Sequence, residues 1–95
     1  MFVVLLKFTE ARAKAPQWLA GHQAWLQQGF DDGVFLLAGS LQPQQGGAVL
    51  AHQLSREALQ QRVHEDPFVA QGVVSAEILD ITASRSDERL RFLLG

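Results

Sequence analysis

Cysteine is absent from the 95 residues. The chain therefore has no disulfide frame, no thiolate nucleophile and no cysteine-based zinc site, a composition that fits a reducing compartment. Charge is scarce too. Charged residues make up 19%, and eight basic against ten acidic residues leave a formal −2. No basic run forms the patch that a nucleic-acid binder presents, so no nucleic-acid partner is expected. No stretch approaches the roughly 18–20 apolar residues that span a bilayer, so no membrane partner is expected either. The opening Met1-Phe2-Val3-Val4-Leu5-Leu6-Lys7-Phe8 lacks the basic region and longer apolar core of a signal peptide. The sequence reads as that of a cytoplasmic protein with an intact N-terminus.

What is present points to one folded domain. Apolar residues reach 47%, which excludes general disorder. A chain of this length buries roughly 60–65% of its unfolded surface, enough for one modest core. Eleven glutamines take up much of the polar surface. A small, weakly charged domain this apolar often hides surface in an oligomer, and a homodimer is expected.

The elements follow from pattern. Phe2 to Thr9 is short, rich in β-branched and aromatic residues, and apolar at both parities, as in a strand buried on both faces. Pro16 opens a helix that should run to about Gln28, with Gly29 as its stop. Trp18, His22, Trp25 and Leu26 share one stripe of that helix, so His22 lies on its buried side. Val34 to Leu41 and Ala48 to Leu54 read as the next two strands, joined by a polar loop. In the latter, alternation groups Ala48, Leu50, His52 and Leu54 on one face. Ser55 is a good N-cap for a second helix to about Glu65, with Leu59 and Val63 inward. Asp66-Pro67 ends it and caps a short turn of helix closed by Gly72. Val73 to Ile81 is the fourth strand. Ser84 to Gly95 reads as a short amphipathic helix, capped by Ser84 or Ser86, with Leu90, Leu93 and Leu94 on one face.

The order β-α-β-β-α-β predicts an α+β, ferredoxin-like fold: a four-stranded antiparallel sheet with both helices on one face. The other face should also be apolar. Pressing two such sheets together across a two-fold axis gives a dimeric α+β barrel.

Chemistry is sparsely signalled. No glycine-rich phosphate loop and no paired-histidine motif occurs. His22, His52 and His64 fall on three different elements, so no metal site is expected. Two features rise above this background: His22 on an apolar stripe, and Asp66 ahead of Pro67 and Phe68.

With those residues, the chain resembles the YCII-related, or YciI-like, proteins over about residues 1–82. The resemblance is carried by Phe2-Val3-Val4-Leu5, the helix with His22, Gly29 to Leu41 ending in Leu37-Ala38-Gly39-Ser40-Leu41, and Asp66-Pro67-Phe68-Val69 followed by Gly72-Val73. It implies a dimeric α+β barrel and a cleft whose acid/base centre is a His–Asp pair, which falls on His22 and Asp66. The end of the family's second strand falls on Ser40, a candidate substrate contact. Many members carry an arginine one turn before the histidine, where this chain has Leu19. A branch of the family resembles dehydrochlorinases of hydroxyquinone breakdown, and more distant barrel relatives include muconolactone isomerases.

The expected function is cofactor-free proton transfer on a small carbonyl or oxidised aromatic compound, of lyase or isomerase type. His22 and Asp66 are its candidate catalytic residues, and Ser40 and Trp25 its candidate substrate contacts. The alternative is a non-catalytic dimeric module that binds a small metabolite. Each residue also has a plainer reading: Asp66 as an N-cap only, His22 as a core histidine, Ser40 as a small strand-end residue, Trp18 and Trp25 as packing. Residues 83–95 form a tail expected to dock on the domain or on a partner subunit.

Overall fold

The computed structural model describes residues 1–94, so Gly95 at the tip of the tail lies outside the described residues. Its elements are β1 (Phe2–Phe8), α1 (Ala15–Asp31), β2 (Phe35–Leu41), β3 (Gly46–Ala51), α2 (Arg56–His64), α3 (Pro67–Ala70) and β4 (Val74–Asp80). Short 3-10 segments lie at Arg12–Lys14 and Glu88–Leu94. The sheet runs β2-β3-β1-β4, with every neighbouring pair antiparallel. This is the ferredoxin-like α+β arrangement, an open sheet with β2 and β4 at its edges.

Strand parity sorts the two faces. Phe2, Val4 and Leu6 on β1 pair with Ala51, Val49 and Gly47 on β3 and with Asp80, Ile78 and Ala76 on β4. This face meets the helices. Phe2, Val4, Leu6, Val49 and Ala51 form one core cluster with Trp25 of α1, Leu59 and Val63 of α2 and Phe68 of α3. The other face carries a row running straight across the sheet. Leu37 pairs with Leu50, Leu50 with Val3, and Val3 with Leu79. Leu37 is 60% exposed and Leu79 is exposed too, whereas Val3 and Leu50 are half-buried. Within one chain, then, β1 is fully covered on one face only.

A bulge decides what β2 offers the helices. Phe35 opposes Ala51 and Leu37 opposes Leu50, so one extra residue sits between them. Strict alternation from Phe35 would turn Leu37 and Gly39 toward the helices. The bulge flips the parity, so Ala38 faces them with Val49, and Ser40 with Gly47.

Several boundaries differ from the pattern reading. The first helix passes through Gly29 and ends at Asp31, with Gly33 in the left-handed region at φ 75°. Gly29 is buried against Phe35, and a Cβ there would overlap the Phe35 ring. It serves close packing, not termination. β3 stops at Ala51, because Gln53 turns the chain with φ 60°. His52 and Leu54 therefore leave the strand. Other local expectations stand as read. Ser55 Oγ accepts the Ala58 N–H, Asp66 caps α3, and Leu59 and Val63 are buried.

The C-terminal tail differs more. Asp87, not Ser84 or Ser86, accepts the Arg89 N–H at the start of the last 3-10 segment. Leu90 leaves helical geometry at φ −112°, which interrupts the stripe expected for Leu90, Leu93 and Leu94. Leu90, Phe92 and Leu94 are exposed. The tail touches the domain through Phe92, whose ring lies 5.8 Å from that of His52.

Among the described residues, no helix is long and apolar enough to cross a membrane.

Candidate functional site

Gly21 on α1 sets the depth of the site. A Cβ on Gly21 would come within 2.9 Å of the Pro67 ring. Its absence lets the start of α3 press onto α1 next to His22. The Asp-Pro pair then aims its carboxylate inward, because an N-cap residue stands outside helical geometry while Pro67 starts the turn.

Asp66 is fully buried. Its Oδ1 accepts from two donors, the Phe68 N–H at 3.0 Å and His22 Nδ1 at 2.8 Å. Both the capping role and the histidine contact thus fall on one oxygen. The other, Oδ2, is buried with no hydrogen-bond partner among the described residues. With Asp66 ionised, its oxygens can only accept, and the 2.8 Å contact then places the proton on Nδ1 and leaves Nε2 as the basic nitrogen. The imidazole is also held by stacking. Its ring lies 4.1 Å from the Phe68 ring at an angle of 4°, and 6.0 Å from Trp25. The side chain keeps 14% of its surface exposed.

That exposed surface belongs to a cavity of about 330 Å³ between α1 and the sheet. Leu6 and Phe8 of β1, Leu26 of α1, Val49 of β3 and Phe68 form apolar wall, and Leu19 lies on the same lining. His22, Gln23 and Ser40 supply its polar side chains. Gly46 and Gly47 complete one side. Gly46 holds φ 131°, and a Cβ there would overlap the Leu6 carbonyl oxygen. The hairpin can approach β1 this closely only with glycine.

The structure therefore brings His22, Asp66 and Ser40 to one place: His22 and Ser40 on the cavity wall, Asp66 directly behind the imidazole. Trp25 goes elsewhere. It is buried, does not line the cavity, and donates its indole N–H to the Arg62 carbonyl at 2.8 Å. Its contact with the site is made through the His22 ring. His52 meets the tail and His64 lines a separate surface groove, so neither joins His22. No three His, Asp or Glu side chains gather in a metal-holding group among the described residues. Gln23, Gly21 and the Gly46-Gly47 pair escaped the sequence reading. The next position after His22 is the only signal for Gln23, and it is weak. The glycines announce themselves only once the elements are packed.

A second charged contact, at the C-terminal end of α1, lies outside the cavity lining and centres on Asp32. The Gln28 amide and then the Arg62 guanidinium, 3.0 Å away, hold its carboxyl below its ordinary value. This pair ties α2 to α1 far from the cavity lining.

Compared with known proteins, residues 1–82 match the family model of the YCII-related domain, which leaves the tail outside the match. No curated protein matches the chain.

Proposed function

The chain belongs to the YCII-related domain family, and from that premise we propose that it is a cofactor-free acid/base catalyst of lyase or isomerase type. The observation that carries this reading is the 2.8 Å contact between buried Asp66 and a histidine that lines the cavity. Nε2 of His22 takes a proton from carbon next to a substrate carbonyl. The C–H electron pair moves onto the carbonyl oxygen as an enolate, and the imidazolium faces the Asp66 carboxylate. The enolate then either expels a β leaving group, forming a double bond, or takes the proton back at another carbon. Ser40 and Gln23 are the cavity donors available to the oxyanion. A positioned acid/base group of this kind supplies roughly 10²–10⁴ in rate.

The test is a melting-shift screen of lactones, quinones, hydroxy acids and keto acids on wild type and His22→Gln together. A ligand at about ten times its Kd adds about 1.4 kcal/mol, several degrees for a domain of this size. Hits lost in His22→Gln support the catalytic reading and select compounds for turnover assays. Hits kept in full would make the protein a non-catalytic metabolite-binding module.

The active form is a homodimer in this proposal. The row Leu37-Leu50-Val3-Leu79 is an apolar band on a sheet face without helices. A second copy covers it, sheet against sheet. Leu37→Lys places a charge on the most exposed residue of the row. Sedimentation velocity should show wild type as a dimer and the variant shifted to monomer; a monomeric wild type would overturn the assembly.

A further inference from the structure

If His22 is the reacting group, as proposed above, the charge around it decides which molecules reach it. No Lys, Arg, Asp or Glu among the described residues lines the cavity. Its polar side chains are His22, Gln23 and Ser40. Behind His22 lies Asp66, fully buried, with Oδ2 unpartnered. The formal charge nearest the cavity is thus a carboxylate, and no cationic side chain among the described residues lines the wall to offset it. One cation lies close to the wall: the Arg12 guanidinium is 4.5 Å from the Phe8 ring centroid. Arg12 is not a lining residue, and it donates to the Gln44 carbonyl at 3.0 Å. An anion entering this cleft would give up water without gaining a counter-charge, and it would face the Asp66 carboxylate in a medium that screens poorly.

We infer that the cleft selects small uncharged carbonyl compounds and discriminates against their carboxylate counterparts, with Leu19 the residue that sets this preference. The size is consistent. An apolar cavity of about 150 Å³ takes benzene. The cavity here, at about 330 Å³, accommodates one ring with several substituents. Leu19 is 44% exposed and lines the cavity from α1, three residues before His22. On a helix that spacing puts the two side chains on adjacent turns of one face. An apolar side chain there adds no cation to the lining beside His22.

Benzamide and benzoate test this, since they share shape and differ in charge. Each is titrated into the full-length isotope-labelled chain while the His22 ring and the Ser40 and Gln23 amide signals are followed by NMR. Benzamide should move all three with a Kd at least about tenfold below that of benzoate. Leu19→Arg, a change at an exposed position, should narrow or invert the ratio by tightening benzoate. The inference is overturned if benzoate binds wild type as tightly as benzamide does. It is equally overturned if neither probe moves these signals, or if Leu19→Arg leaves the ratio unchanged. Turnover is a separate readout. Charge selection at His22 with no turnover of any uncharged carbonyl compound leaves this inference standing and removes the catalytic one; turnover of carboxylates alone does the reverse.

Discussion

Replacing His22 with alanine is expected to lower the unfolding free energy by about 2–4 kcal/mol at neutral pH, roughly 10–20 °C in Tm. Lost packing is the smaller part. The imidazole stacks on Phe68 and retains some exposure, so its removal forfeits modest contact area. The larger part comes from what remains. Asp66 is fully buried, and His22 supplies one of the two donors to its carboxylate. Without that donor the charge is left with the Phe68 N–H alone. Removing one member of a buried pair costs more than the pair itself contributes, because the survivor stays buried and uncompensated. The double variant His22→Ala/Asp66→Asn should therefore be more stable than His22→Ala, by about 1 kcal/mol or more. Asparagine is neutral, and its carbonyl oxygen still caps the Phe68 N–H. Urea unfolding of the four proteins measures the coupling. A double variant no more stable than His22→Ala would show that the Asp66 charge places no demand on the histidine.

The pair was partly legible in the chain and partly not, for reasons that separate local from tertiary physics. Asp66-Pro67 announces a cap through backbone preferences confined to a few residues, and the cap forms as read. His22 falls on the inner stripe because helical periodicity needs only one element. What brings them together, Gly21 against Pro67, depends on two helices meeting. The arrival of Ser40 in the cavity depends on the extra residue between Phe35 and Leu37. A bulge is a property of two strands in register, and one strand's alternation carries no sign of it. Gly29 misled for a related cause. Glycine after a run of helical residues usually ends a helix, yet here Phe35 claims the space a side chain would occupy. Trp25 followed the stripe faithfully, but only the Arg62 carbonyl decides that its N–H is already committed. Strand parity named the apolar face opposite the helices, and the register then aligned Leu37, Leu50, Val3 and Leu79 into a single row.

Asp66→Asn, by contrast, is expected to leave the fold nearly intact and cut turnover about 10²-fold or more on the compound class the screen identifies. The geometry makes this substitution unusually clean. Because Oδ1 serves both Phe68 and His22, the amide must place its oxygen there to keep the cap. The same oxygen then still accepts from Nδ1, and His22 keeps its tautomer and orientation. The charge is gone, and the amide nitrogen brings two N–H donors to the place of an oxygen that has no partner now. The loss therefore reads the electrostatic contribution of Asp66 to an imidazolium forming in the transition state. Asp66→Ala removes charge, orientation and cap together. It should lose more turnover and also about 1 kcal/mol or more of stability, the usual cost of an N-cap. Nitrogen NMR of the His22 ring supplies the control: Nδ1 should remain protonated in Asp66→Asn. Full turnover in that variant, with the ring unchanged, would reduce Asp66 to a helix cap. A sharp fall in turnover with the ring unmoved would instead mark the carboxylate as the counter-charge on which proton transfer at His22 depends.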